Sequence, residues 1–235
     1  MHTIHIQDIN FEKLNLINCN GKEADIFLDE QTVYKLYKHP EKSYLVKERK
    51  LNILSTMKLN HAIIPHTKIV NSISLCGCMM DYVEEKTIKD YILTTEELIA
   101  VFKKISTTVK EYHGSGVIIG DFHIYNILFP TLEDYYFIDL DGGRIKGFAS
   151  DHIPALTYRF LKSIGVQNSM VDERFDNLSI LLSFLYLLFD KQPLYTLEQY
   201  QLDKLIEEKE VMCEAPFIRR LRKGNIDIPY FYQLF

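Results

Sequence analysis

The residue pattern of the chain changes at about Val83, and this change limits the folds that the sequence can adopt. Before Val83, short apolar runs separated by turn residues predict β-strands, with one helical pattern among them. After Val83, apolar residues recur mostly at helical spacing. A chain with this pattern is α+β, with a small β-rich part followed by a mainly α part.

The first part, residues 1–83, contains five predicted strands and one helix. The strand patterns begin at residues 15, 24, 32, 63 and 73. Asn20-Gly21 and Asp29-Glu30 favour turns between the first three strands, so these form an antiparallel meander. Residues 44–57 carry apolar side chains at helical spacing. We therefore predict a five-stranded antiparallel sheet with one helix.

The second part, residues 84–235, is predicted to be mainly helical. Capping boxes open two of its helices, at Thr94 with Glu97 and at Thr196 with Gln199. The first of these helices should end near Gly114. Residues 172–189 are almost wholly apolar, which predicts a helix that is buried on all sides. Short β-rich stretches lie between these helices, at 117–119, 126–129 and 135–139.

Composition argues against several classes of partner. The chain has 27 Lys and Arg and 32 Asp and Glu, which gives a net charge of -5. No segment concentrates basic residues as nucleic-acid binding requires. The longest apolar stretch, Leu178 to Phe189, is shorter than the roughly 20 residues of a spanning helix. The N-terminus has no signal-peptide pattern, and four cysteines are too few for a disulfide framework. We expect a cytoplasmic protein that binds neither nucleic acid nor membrane.

The stretch Ile118 to Asp141 carries the residues whose side chains are suited to catalysis or metal binding. Asp121 is followed by Asn126 five residues later and by Asp139 thirteen residues beyond that, each beside apolar residues that anchor a short strand. Hard oxygen ligands on rigid elements, with a further carboxylate nearby, are what phosphoryl transfer from Mg-ATP requires. The alternative is that these residues are ordinary loop residues, because Asp and Asn are common in turns.

The spacing of Asp121, Asn126 and Asp139 resembles the catalytic and metal-binding loops of the protein-kinase-like superfamily. The resemblance implies that Asp121 is the catalytic base and that Asn126 and Asp139 bind Mg²⁺. Upstream, Val33-Tyr34-Lys35 resembles the strand whose Lys holds the ATP phosphates, and Glu48 occupies the place of the Glu that pairs with that Lys.

The resemblance covers about residues 15–190 and also implies an ATP site. Asn20 to Ile26 corresponds to the loop that covers the phosphates and, with one glycine, resembles that of RIO-type atypical kinases; Met79 to Glu84 resembles the hinge that binds adenine. The implied nucleotide contacts are Gly21, Lys22, Glu23, Ala24, Ile26, Val33, Lys35, Met80, Asp81, Val83 and Leu128. Asp176 is placed like the buried Asp that supports the catalytic loop.

The sequence also departs from typical protein kinases. Ile119-Gly120 stands where those enzymes have His-Arg, and the run Gly120-Asp121-x-His123 resembles aminoglycoside and choline phosphotransferases instead. Without that Arg, no cation stands beside Asp121 to pair with a phosphorylated activation loop. Asp141, in Asp139-Leu140-Asp141-Gly142, is either a second metal ligand or a turn cap. His123 either contacts substrate or the catalytic Asp, or packs within the loop.

The resemblance as a whole implies a bilobal protein-kinase-like fold, with an N-lobe over 1–83 and a reduced C-lobe over 84–235. It implies an ATP- and Mg²⁺-dependent kinase that phosphorylates a hydroxyl group, with Ser or Thr of a protein favoured. The alternatives are a small-molecule kinase and a pseudokinase that acts as a binding module. The short C-lobe leaves room for a partner protein.

Overall fold

The computed structural model describes residues 1–19, 23–39, 44–151, 153–166, 171–211, 214–224 and 227–235. These residues form two units: Met1–Glu85 with Leu128–Asp141, and Lys86–Ile127 with Gly142–Phe235. Within the described ranges the fold is α+β, as the sequence pattern predicts, and it contains six α-helices and a mixed six-stranded sheet. The division into lobes at residues 83 and 84 stays a prediction.

The first unit is built on the six-stranded sheet. Its strands are β1 (His2–His5), β2 (Asn15–Asn18), β3 (Ala24–Asp29), β4 (Thr32–Tyr37), β5 (Thr67–Val70) and β6 (Leu75–Asp81). They lie in the order β1-β5-β6-β4-β3-β2. All neighbours pair antiparallel except β1 and β5, which are parallel.

The prediction of five antiparallel strands was therefore wrong by one strand, β1. This strand has four residues at the edge of the sheet, and only Ile4 is partly buried while its neighbours are exposed. So short an edge strand has too little alternation to be recognised in the sequence.

The core of the first unit lies between the sheet and helix α1 (Leu45–Leu54). Leu51 of the helix packs with Ala24, Tyr37, Cys78 and Met80 of the strands. Cys76, by contrast, packs in a separate cluster with Ile9 and Ile69. In a regular strand Cys76 and Cys78 would point to the same face, but the register between β5 and β6 shifts next to Cys76 and interrupts the alternation.

A later segment of the chain completes the first unit through short strand β9 (Tyr136–Phe137). The amide of Phe137 donates to the carbonyl of His61 at 2.7 Å, and the amide of Ile63 donates to the carbonyl of Phe137 at 2.9 Å. The rings of His61 and Tyr135 stack with centroids 4.3 Å apart. These contacts attach the residues that lead to Asp139 to the first unit.

The second unit is mainly helical. Its helices are α2 (Thr95–Gly114), α3 (Ala155–Ser163), α4 (Glu173–Leu188), α5 (Gln199–Glu208) and α6 (Ala215–Arg222). Strand β7 (Val117–Ile118) pairs antiparallel with β10 (Arg144–Ile145). Strand β8 (Ile127–Leu128) has its first residue in the second unit and its last in the first. As predicted, α4 is buried along nearly its whole length; its Phe184 packs against Phe102 and Phe231.

One of the two predicted caps is confirmed. Thr94 and Glu97 form the capping box of α2. Helix α5 begins later than predicted, with Glu198 and Gln201 as its capping pair. Thr196 instead donates to the carbonyl of Pro193, because the chain first makes a short 3-10 turn there. None of the helices in the described part of the chain has the length and hydropathy needed to cross a membrane.

Candidate functional site

Lys35 and Asp139, chosen separately from the sequence, lie together in the first unit. The Lys35 ammonium on β4 donates to Asp139 Oδ1 at 2.9 Å, although the two residues are 104 positions apart. The same Nζ lies 3.7 Å from Asp141 Oδ1. The Lys35 side chain is only 5% exposed. A buried lysine between two carboxylates is held in one place.

Lys47 is a second buried lysine at this site, and sequence reasoning missed it. Its Nζ lies 3.2 Å from Asp141 Oδ2, contacts the carboxylate of Glu23, and stands 5.1 Å above the ring of Tyr37. The run from Lys47 to Lys50 resembles an exposed helix face. However, the buried positions of α1 are 47, 50, 51 and 54, a spacing that could have indicated the inward face.

Glu48, which was predicted to pair with Lys35, pairs with Lys68 instead. Its Oε1 accepts from Lys68 Nζ at 2.6 Å, and no ion pair joins it to Lys35, both residues being described. Neighbouring residues on a helix point about 100° apart. Because Lys47 occupies the inward direction, Glu48 lies to one side, and the predicted pairing was wrong.

Asp139 and Asp141 have opposite environments. Asp139 is 43% exposed and has a left-handed backbone, with φ of 59°. Asp141 is 3% exposed, with one carboxylate oxygen toward Lys35 and the other toward Lys47. A left-handed residue other than glycine stores strain that is typical of functional sites. Asp141 is thus not the turn cap that its place before Gly142 suggested.

Glu23, Lys35, Lys47, Asp139 and Asp141 form what we call the charged cluster. Burial alone raises the pKa of Asp141, but the Lys35 and Lys47 ammonium groups outweigh burial and hold that pKa well below its usual range. Burial lowers the pKa of Lys35, yet Asp139 and Asp141 bring it well above its ordinary value. Asp141 and Lys35 are therefore both charged at neutral pH.

Cys78 and Tyr37 are buried neutral side chains next to the charged cluster. Burial, with a smaller contribution from Asp141, raises the pKa of the Cys78 thiol to about 12, and burial also raises the pKa of Tyr37. The Cys78 thiol and the Tyr37 hydroxyl therefore stay protonated and uncharged at neutral pH. The positive charges of the lysines are balanced by the negative charges of the carboxylates, as a poorly solvated site requires.

Four of the predicted nucleotide contacts belong to one apolar cluster of the first unit. Ala24 and Met80 are buried members of that cluster, and Ile26 and Val33 pack against it. Five further contacts lie apart from the cluster or outside the described residues: Asp81 is exposed, Val83 and Leu128 are half-buried, and Gly21 and Lys22 are not described.

Asp121 and Asn126 lie in the second unit and are held in one loop. The Asn126 amide nitrogen donates to the backbone carbonyl of Asp121 at 3.1 Å. Gly120, just before Asp121, has φ of 70°, and a Cβ at this position would collide with Ser150 Oγ. Only glycine suits this position, so the Arg of typical protein kinases could not stand here.

Asp176 of α4 holds the backbone that precedes Asp121. Its buried carboxylate accepts from the amides of Ile119 at 2.7 Å and Gly120 at 2.8 Å. His113 Nε2 lies 2.9 Å from Asp176 Oδ2, and His113 Nδ1 lies 3.0 Å from Tyr230 Oη. The predicted supporting position of Asp176 is confirmed. The contact of His113 with Asp176 was not predicted from the sequence.

His123 stacks on an exposed aromatic ring. Its ring lies 4.9 Å from that of Tyr125, over which Lys89 Nζ stands at 4.1 Å. Burial lowers the pKa of His123 and Lys89 adds to the decrease, whereas Asp121 opposes it. His123 is therefore mainly neutral at pH 7, and its Nδ1 accepts from the Tyr125 amide at 3.3 Å.

The predicted metal ligands are both oxygen donors. Asp139 uses one carboxylate oxygen for Lys35, and Asn126 uses its amide nitrogen for Asp121, so each retains an oxygen of the type that Mg²⁺ prefers. Among the described residues there is no cluster of three or more His, Cys, Asp or Glu side chains suited to a metal ion.

Comparison with known proteins places this chain in no family: no protein-family model matches it, and no curated protein matches it. The assignment of a function therefore rests on the residues and contacts described above.

Proposed function

We propose that this chain is an ATP- and Mg²⁺-dependent phosphotransferase with the bilobal fold of the protein-kinase-like superfamily. It would move the γ-phosphoryl group to a hydroxyl acceptor. The contact that supports this proposal best is the 2.9 Å hydrogen bond from Lys35 Nζ to Asp139 Oδ1. These residues stand in the sequence where that superfamily has its phosphate-binding Lys and its metal-binding Asp.

Each proposed role follows from the chemistry of the side chain. Lys35 would bind the phosphates, since a lysine is a compact cation that suits them. Asp121 would orient the acceptor hydroxyl and take its proton at the carboxylate. Asn126 ties its own loop to the Asp121 carbonyl, and Asp176 holds the two residues before Asp121. The loop would thereby keep Asp121 in position.

Asp139 and Asn126 would hold Mg²⁺. Both are hard oxygen donors, and Asp139 is exposed enough to accept a cation that keeps several of its waters. Bound Mg²⁺ would neutralise charge on the transferring phosphoryl group. Val33, Ile26 and Met80 would provide an apolar surface for adenine, because they belong to one apolar cluster.

Ser or Thr of a protein is the acceptor that we favour, because the strand-rich first unit carries the hinge-like segment. A small-molecule acceptor is the second candidate. It is favoured by Gly120, whose backbone and surroundings exclude the Arg of typical protein kinases and match Gly-Asp-x-His. The two acceptor classes are separated by experiment.

The test combines nucleotide binding with phosphoryl transfer. Mg-ATP at 100 times its dissociation constant should stabilise the native state by about 2.7 kcal/mol, visible as a raised melting temperature. Labelled ATP should then be offered with the protein itself, generic protein acceptors, and a panel of aminoglycosides and amino alcohols. Asp121→Asn should abolish transfer and retain binding, whereas Asp203→Asn, which changes an exposed carboxylate on α5, should have the parental rate.

Absence of any melting shift at millimolar Mg-ATP would contradict the proposal. A shift without transfer to any acceptor would favour a pseudokinase. Transfer that survives in the Asp121→Asn variant at the parental rate would show that the catalytic base has been assigned to the wrong residue.

A further inference from the structure

We infer that Asp141 is the positioning residue for Lys35, in the role that the resemblance assigned to Glu48. This inference rests on the proposed function, since it concerns how Lys35 is presented to the phosphates of ATP. It assigns to Asp141 neither metal binding nor proton transfer.

The first argument is the arrangement around Lys35. Among the described residues, the carboxylates within ion-pair distance of its ammonium are those of Asp139 and Asp141. Asp139 is exposed and is the proposed magnesium ligand, so its carboxylate has another task in the reaction. Asp141 is almost fully buried, and the Lys35 contact is the one that it can keep throughout.

The second argument is how Asp141 itself is held. Its two carboxylate oxygens are divided between two buried lysines, with Oδ1 toward Lys35 and Oδ2 toward Lys47. Lys47 is fixed in turn by the carboxylate of Glu23 and by the ring of Tyr37. An almost fully buried carboxylate with a lysine ammonium near each of its oxygens has little reason to turn away from Lys35, and a buried acid with two cations has no need of a metal ion to balance its charge.

The third argument is that Glu48 is occupied elsewhere. Its side chain is 31% exposed and its partner is Lys68 at 2.6 Å. The inward position on α1 belongs to Lys47, a cation, which could not orient another cation directly. A carboxylate between the two lysines is the group that electrostatics requires at this point.

A double-mutant cycle on nucleotide affinity tests this inference. The dissociation constant of a fluorescent N-methylanthraniloyl-ATP is measured in EDTA, so that metal binding at Asp139 does not contribute. The variants are Asp141→Asn, Lys35→Met and the double variant, with Glu48→Gln as the competing assignment and Asp203→Asn as the control for removal of a carboxylate.

The expected result is a strong coupling between positions 35 and 141. Asp141→Asn should weaken binding about tenfold when Lys35 is present. It should have less than about a twofold effect when residue 35 is Met, because no ammonium remains to be positioned. Glu48→Gln and Asp203→Asn should each change the affinity by less than about twofold.

Removal of a negative charge near the phosphates could by itself strengthen binding, and the cycle separates this effect from positioning. Charge removal acts in both backgrounds by the same factor, whereas loss of positioning acts only when Lys35 is present. Equal factors in the two backgrounds, or a larger effect from Glu48→Gln than from Asp141→Asn, would overturn the inference.

Two further measurements make the outcome decisive. Melting temperatures show whether Asp141→Asn folds. If it does not, Asp141→Glu is used instead: it keeps the charge, moves it by one methylene, and should weaken binding by a smaller factor, again only when Lys35 is present. Wild-type protein that binds no nucleotide either in EDTA or with Mg²⁺ would overturn the proposed function and this inference together; if it binds only with Mg²⁺, the same cycle is measured with Mg²⁺ present. Wild-type binding without coupling would overturn this inference alone.

Discussion

Asp176→Asn should destabilise the second unit and displace the loop before Asp121. The buried carboxylate of Asp176 accepts from the Ile119 and Gly120 amides and lies 2.9 Å from His113 Nε2. Hydrogen bonds to a charged group each contribute about 1.5–3 kcal/mol. The amide retains one acceptor oxygen and turns an NH₂ toward one or two buried groups, so we expect a loss of about 2–5 kcal/mol.

Urea denaturation followed by circular dichroism measures this loss, with Asp203→Asn as the matched control. Asp203 is an exposed carboxylate on α5 that pairs with Arg219, and its removal should cost under about 1 kcal/mol. In the same Asp176→Asn protein, phosphoryl transfer should fall at least about tenfold. Nucleotide affinity should change less than about twofold, since the charged cluster lies in the first unit.

The reasoning is refuted if the free energy of unfolding of Asp176→Asn lies within about 1 kcal/mol of the parental value. That is the limit expected for the surface control, Asp203→Asn. Such a value would mean that the three contacts of Asp176 contribute no more than a surface ion pair. An equal fall in nucleotide affinity and in transfer would instead show that the substitution perturbs both units.

Three further predictions concern single positions. Asp139→Asn should abolish transfer in a labelled-ATP assay, whereas Asp141→Asn should leave a measurable fraction; the reverse ranking would show that the metal ligand is misassigned. Gly120→Ala should cost about 1–3 kcal/mol in urea denaturation because of the left-handed φ and the collision with Ser150. Asp172→Ala removes the cap of α4, whose side chain accepts from the Arg174 and Phe175 amides, at a cost of about 1 kcal/mol near neutral pH. Burial raises the pKa of Asp172, but hydrogen bonds and the charge of Arg174 lower it overall, so its contribution is present above the unfolded-state pKa of 3.8 and is lost as the pH falls through the lower folded value. The two unfolding free energies should therefore converge below about pH 4, and a constant difference down to pH 2 would contradict the assignment.

The local elements of the chain could be predicted because their signals are local. Alternation located β3, β4 and β6, the capping box located the start of α2, and the continuous apolar run predicted the burial of α4. Strand β1 could not be predicted in this way. Its partner β5 lies more than sixty positions later, and pairing at a sheet edge leaves almost no pattern in the strand itself.

The separation of roles within the charged cluster depended on tertiary structure. Lys35 and Asp139 could be selected as candidates from the sequence, because each follows or lies within an apolar strand and matches a motif of the family that the chain resembles. It could not decide between Lys47 and Glu48, since neighbouring residues on a helix differ only in direction, and direction is decided by what the helix packs against.

The sequence by itself determined the α+β class, most of the strands and helices, and the residues of the candidate site, because periodicity and residue type act over a few positions. Tertiary structure decided that Lys47 faces inward, that Asp141 is buried between two lysines while Asp139 is exposed, and that Glu48 pairs with Lys68. These outcomes depend on burial and charge brought together from distant parts of the chain, and the free energy of a charged group is decided by that assembled environment.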